Sequence, residues 1–136
     1  MMEFFSKFSA MLMCLSGILI AFIADNQLRD FMLANEIRTK IGKEKIPILK
    51  TGLWKYSRHP NYFGEQLWWW SFALFSVRVN QSWAICGTLF NSIVLAIVTK
   101  MTEDKMLREW PKSRVLKFHK YKETTSACIP WFSGGE

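Results

Sequence analysis

Uncharged apolar runs alternate with stretches dense in charge along this chain. From Phe8 to Ala24 there is no charged residue, and Leu, Ile, Met, Phe and Ala dominate. With Phe4 and Phe5 the run reaches the roughly 20 residues that a helix needs to cross a bilayer. The pattern predicts a first span over 4–24. A secretory signal is the rival reading, but it wants a positive amino end and small residues before the cut. Here Lys7 follows Glu3 closely, and a cut after Ala24 would place bulky Phe22 at a small-residue position. A second apolar run covers 62–77, with Glu65 inside its start, and a third, uncharged, covers 79–99. The short polar segment Arg78-Val-Asn-Gln-Ser82 makes these two an antiparallel hairpin. Asn91 and Ser92 are candidate hydrogen-bonding groups between helices.

The connectors, 25–61 and 100–136, are polar and basic. Asp25 to Lys40 continues a helical pattern in which Leu28, Phe31, Met32 and Ile37 share one face. Gly42 is a stop signal. Ile46 to Leu53, with Pro47 and Gly52, reads as loop. Lys100 to Glu123 carries eight Lys or Arg against four acids, interleaved with Met106, Leu107, Trp110, Leu116, Phe118 and Tyr121. That suits amphipathic helices at the membrane surface, broken near Pro111. Thr124 to Phe132 reads as extended, and Ser133–Glu136 as a frayed end.

Basic connectors flanking apolar spans are expected on the cytosolic side. The amino terminus and the Arg78–Ser82 turn then lie on the far side. The expectation is an all-α integral membrane protein: one membrane domain over 1–136, with three transmembrane helices plus amphipathic cytosolic helices.

The net charge of +7 over 136 residues would by itself suit nucleic acid. Its layout beside apolar spans argues against that partner and for membrane lipid. Cys14, Cys86 and Cys128 are odd in number and unpaired in spacing, so neither a disulfide framework nor a zinc site is indicated. No metal-ligand spacing, Gly-rich phosphate loop or Ser/Cys–His nucleophile pattern occurs.

The candidate chemistry gathers at one membrane face. Asp25 and Arg29 follow the first span, four apart on a helix. Arg58, His59, Asn61, Tyr62 and Glu65 precede the second. Tyr121 and the basic tail follow the third. Cations, amides and a carboxylate suit an anionic, hydrogen-bonding cofactor, and Trp68, Trp69 or Trp70 could stack on its flat ring. Duller readings exist for most of them. The tryptophans suit an interfacial belt, and the cations suit anionic lipid. Asp25 could pair with Arg29, and His59 could cap a helix. Glu65 is the hardest to explain away, because a carboxylate one turn inside an apolar helix is costly without a partner.

Three blocks then resemble a known family. They are Ala24-Asp25-Asn-Gln27, the segment Gly52-Leu-Trp-Lys-Tyr-Ser-Arg-His-Pro-Asn-Tyr-Phe-Gly-Glu65, and Thr125-Ser-Ala-Cys-Ile-Pro-Trp-Phe132. Their order and content resemble the steroid 5-alpha-reductase-like membrane family, in its carboxy-terminal part. The same superfamily holds the isoprenylcysteine carboxyl methyltransferases, which use S-adenosylmethionine and share an Arg-His-Pro core. The overlapping Arg58-His-Pro-Asn61 and Asn61-Tyr-Phe-Gly-Glu65 carry both signatures, and Glu65 with Trp69 favours the reductase side.

The resemblance implies a membrane-embedded, NADPH-dependent reductase of a lipid double bond, of an enone steroid or polyprenoid kind, in the endoplasmic reticulum. It implies that Asn61, Glu65 and Trp69 embrace the nicotinamide–ribose end. Asp25 and Arg29 touch the cofactor further along, and Arg58, His59 and Tyr121 belong to the same cofactor-binding set. Reductases of this type carry further spans upstream, which hold the substrate carbonyl. The chain therefore corresponds to the cofactor-binding part of a longer architecture, with other transmembrane helices as partners, and its catalytic residues are unassigned. The alternatives are an S-adenosylmethionine-dependent methyltransferase and a non-catalytic truncated membrane fragment.

Overall fold

The structure is a computed structural model that describes residues 2–131. The Ser133–Glu136 end and Phe132 lie outside the described residues. Among the described residues four α-helices run in order: α1 (Met2–Lys40), α2 (Pro60–Arg78), α3 (Ile85–Glu109) and α4 (Lys112–Thr124). Single 3-10 turns, Gly52–Lys55 and Ser82–Ala84, precede α2 and α3. Among the described residues no strand forms. One isolated parallel bridge joins Ser57 to Ser126.

The first span and the helix expected after it are one element. With 39 residues at 1.5 Å each, α1 is roughly 58 Å long. That is about twice the ~30 Å apolar thickness of a bilayer. Its carboxy-terminal half therefore stands clear of the apolar stretch. It ends where the sequence signals: Gly42 has φ 71°, Lys43 N–H donates to Arg38 at 2.8 Å, and Gly42 N–H donates to Thr39 at 3.1 Å. These two bonds cap the last turn in a Schellman arrangement. The shared face differs from the expected one. Leu28, Phe31 and Asn35 turn inward, whereas Met32 and Ile37 are exposed.

Small residues bring α1 and α2 together. A Cβ at Gly17 would stand 2.6 Å from the Gly64 carbonyl oxygen, and one at Gly64 would stand 2.6 Å from the Ala21 nitrogen. Ala10 and Ala24 continue the buried small-residue face of α1. Between helices in lipid this close approach takes the place of hydrophobic driving force.

The turn after α2 reverses the chain, and α3 runs antiparallel beside it. Thr88 donates to the Trp69 carbonyl at 3.2 Å, and Ser92 to Gln66 Oε1 at 2.7 Å. The expected role of Ser92 is met. Asn91 Nδ2 is buried with no acceptor among the described residues. The helix does not end with the apolar run at Thr99 but continues to Glu109, where Trp110-Pro111 breaks it. Its overshoot carries Glu103 into the interior.

The expected all-α membrane class holds. Two of the three expected spans, within α1 and α3, are long and apolar enough to cross a membrane. Only 17% and 11% of their most apolar stretches are buried inside the chain, so these helices are not the core of a soluble domain. With Glu65, Gln66 and Trp68–Trp70 in its sequence, α2 is less apolar, and it packs against both.

Candidate functional site

The polar interior lies at one end of the helices, where α1 leaves its apolar stretch, α2 begins and α3 overshoots. Pro60 starts α2 with its φ preset for a helix. That fixes the preceding Arg58-His59 against the tail. The Arg58 backbone N–H donates to Ser126 at 2.9 Å, and the Trp131 N–H to Tyr56 at 3.1 Å. Ser57 Oγ donates to the Cys128 carbonyl at 2.7 Å. The tail from Thr125 to Trp131 is thereby strapped over the entry to α2.

Beneath the strap sits Glu103. One of its oxygens receives Arg58 Nε at 2.8 Å and faces His59 Nε2 at 3.3 Å. The other meets Lys122 Nζ at 2.9 Å. Arg58 Nη1 also donates to the Thr125 carbonyl. Arg58, His59 and Glu103 are buried, and Lys122 is half-exposed. A buried carboxylate holds when its charge is met and its lone pairs are used, and both conditions are satisfied. The Tyr121 hydroxyl donates to the Trp54 carbonyl and lies 3.3 Å from that of Ser57. Burial pushes its pKa above the usual tyrosine value, and the nearby Arg58 charge opposes this only in part.

On the α1 side, Asn61 Nδ2 donates to Asp25 Oδ1 at 3.0 Å. This assigns the orientation of the amide and leaves Asn61 Oδ1 buried without a donor. The His59 ring stacks on Tyr62, centroids 5.2 Å apart and planes 8° from parallel. Asp25, Asn61, Tyr62, Glu65 and Trp68 line a cleft of about 300 Å³ between α1 and α2. Among the described residues the Glu65 carboxylate has no hydrogen-bond or ion-pair partner.

The structure therefore brings Asp25, Asn61, Tyr62 and Glu65 into one cleft, and Arg58, His59 and Tyr121 into the adjoining buried end. Arg29 does not pair with Asp25. It meets Asp30 at 3.2 Å and lines an open groove of about 890 Å³ that begins at Asp25. Trp69 lies on the α3 side, where its carbonyl accepts from Thr88. Its neighbour Trp68 is the tryptophan of the cleft wall. Glu103, Lys122 and Trp54 were not singled out from sequence. The one available signal for Glu103 was its place a turn beyond an apolar run, where a continuing helix would carry it inward.

An all-α membrane protein with a polar, partly buried cleft at one end of its spans is what this fold and site define. The chain belongs to the family described as protein of unknown function (DUF1295), which matches residues 3–125 and is related to the steroid 5-alpha-reductases. It is 30% identical to 3-oxo-5-alpha-steroid 4-dehydrogenase 1 of Rattus norvegicus over 117 residues, covering 86% of this chain and 38% of that protein. It is 40% identical to an uncharacterised protein of Schizosaccharomyces pombe over 87 residues, covering 62% of this chain and 24% of that one. The chain thus spans well under half the length of either relative. No solved structure matches it.

Proposed function

We propose that this chain is the cofactor-binding part of a membrane reductase that takes NADPH and acts on a hydrophobic lipid. The observation that carries the reading is the cleft between α1 and α2 in which, among the described residues, Asn61 Oδ1 has no donor and the Glu65 carboxylate no partner. A buried acceptor without a donor is costly. The carboxamide N–H of a nicotinamide meets that need at Asn61 Oδ1, and a ribose hydroxyl suits the Glu65 carboxylate. Asp25 holds the Asn61 amide so that its oxygen stays available. A cleft of about 300 Å³ is at the lower bound of small-molecule sites, so it takes one end of a dinucleotide rather than all of it.

Held by these residues, NADPH would supply a hydride to the β-carbon of a carbonyl-polarised double bond, becoming NADP+, while a proton from solvent adds at the α-carbon. The residues of this chain bind and orient the flat ring, with Trp68 beside it. Arg29 and the lysines of the open groove receive the phosphates. The helices that hold the lipid and polarise its carbonyl come, in this reading, from other transmembrane segments. The basic connectors face the cytosol, and the endoplasmic reticulum is the membrane by family likeness.

The test is thermal stability of the detergent-purified protein with NADPH, NADH or S-adenosylmethionine. A ligand at a hundred times its Kd stabilises by roughly 2.7 kcal/mol. The expected result is a shift with NADPH that is lost in Glu65→Gln and Asn61→Ala. A shift with S-adenosylmethionine alone would replace the reductase with the methyltransferase reading. No shift in folded protein would leave a non-catalytic membrane fragment.

A further inference from the structure

Three consecutive residues ahead of α2, Gly52, Leu53 and Trp54, grip α1 on both sides of Asp25. The Trp54 indole Nε1–H donates to the Ala24 carbonyl at 3.1 Å. The Leu53 backbone N–H donates to Gln27 Oε1 at 3.0 Å. Trp54 and Ala24 are buried, so water does not replace the first bond when it is lost. A carbonyl oxygen has two lone pairs, and Ala24 can receive Trp54 without giving up its place in α1. Gly52 makes the close approach possible. Its φ is 60°, and a Cβ there would stand 2.4 Å from Gln27 Nε2. Glycine meets both demands.

The grip is held from behind. The Tyr121 hydroxyl donates to the Trp54 carbonyl and lies 3.3 Å from that of Ser57. The Tyr56 and Ser57 N–H groups both return to the Leu53 carbonyl, at 3.1 and 3.3 Å. Residues 52–57 therefore form a stiff block, and α2 starts at Pro60 soon after it. The Gly17–Gly64 contact sets how closely α1 and α2 approach. One close contact leaves two helices free to pivot, and the Trp54–Ala24 bond removes that freedom. At this level the helices meet through Asn61 Nδ2, which donates to Asp25 Oδ1 at 3.0 Å. With its nitrogen on Asp25, the Asn61 amide presents its oxygen elsewhere, and that oxygen is the buried acceptor without a donor.

We propose that Trp54 and Gln27 are positioning residues for the Glu65 cleft. By straddling Asp25 they hold its carboxylate where it turns the Asn61 amide and keeps Oδ1 free for a ligand. Neither residue lines that cleft, so both act through Asp25. A consequence for NADPH rests on the nicotinamide reading of the cleft, whereas the positioning itself does not.

The experiment follows the Asn61 side-chain amide by ¹H–¹⁵N NMR in the asparagine-labelled full chain in detergent, with the signal assigned by its loss in Asn61→Asp. A proton given to a carboxylate makes a short, strong bond and resonates downfield of a free amide. Trp54→Phe removes the indole donor, and Gln27→Leu removes the acceptor for Leu53. Each should move the signal toward the free-amide position. Gln27→Glu keeps an acceptor oxygen and should leave it in place. Thr88→Val removes the bond to Trp69 between α2 and α3, so it controls for lost stability alone and should leave the signal in place too. Variants are compared as protein that elutes and melts as folded. NADPH binding should weaken roughly three- to ten-fold in Gln27→Leu, the weight of one hydrogen bond. If the amide responds as stated but NADPH does not bind the wild type, the nicotinamide reading falls and the positioning stands. The proposal is overturned if the wild-type amide already sits at the free position. It is equally overturned if Trp54→Phe or Gln27→Leu leaves the signal unmoved, or if Thr88→Val moves it as far as they do.

Discussion

Glu103 faces the buried Arg58 guanidinium and His59 ring and the half-exposed Lys122 ammonium, so its two kinds of partner should differ in weight. Removing the carboxylate by Glu103→Ala strands Arg58 and His59, and breaking a buried pair in this way costs ~3–5 kcal/mol. Lys122 is 38% exposed, and its removal leaves Glu103 still paired, so Lys122→Ala should cost about 1 kcal/mol or less. Unfolding of both variants in the same detergent checks this, and equal losses would contradict the buried arrangement. Tyr121 makes a pH prediction. Burial raises its folded pKa above the ordinary value of 10.0. A raised pKa means that the unfolded chain loses this proton first. Stability is then unaffected by the phenol below pH 10 and falls as pH rises beyond it. The alkaline fall should be shallower in Tyr121→Phe, measured as the difference between the two pH profiles. Neither role was visible at the level of single residues. In sequence Glu103 is one acid among four in a basic stretch, whereas Glu65 stood out because its neighbours are apolar.

At the scale of elements, the α1–α2 crossing sets the depth of everything else. It rests on Gly17 and Gly64, where an added side chain would meet backbone rather than a yielding neighbour. Gly64→Val should destabilise by ~1–3 kcal/mol or more, the cost of overpacking. Gly87 in α3 has open space around its missing Cβ, so Gly87→Ala should be neutral or favourable by up to about 1 kcal/mol. Opposite signs for these two glycines, by detergent unfolding, would confirm where the helices touch. Helix identities were legible from hydrophobic period and punctuation, including the Gly42 stop and the Pro111 break. Helix lengths were less so. Both α1 and α3 continue through the change from apolar to charged sequence, because a helix satisfies its own backbone on either side of a membrane surface and only the environment of its side chains changes.

For the whole molecule, the long connectors lie at one end and the 78–82 turn at the other. The basic balance of the connectors predicts that their end is cytosolic. In a background with Cys14, Cys86 and Cys128 replaced by Ser, a membrane-impermeant maleimide should reach Lys43→Cys from the cytosolic side only. It should reach Ser82→Cys from the opposite side only, and the reverse pattern would invert the topology. The sequence by itself determined the helical membrane class, the apolar runs, the family and the cluster around Arg58–Glu65, because apolar period, charge and local motif are written within short windows. The tertiary structure alone decided that Asn61 meets Asp25 across 36 positions and that Arg58 meets Glu103 across 45. It also placed Trp68 on the cleft. Those pairings depend on how deeply the helices cross, and close packing at a few small residues sets that depth.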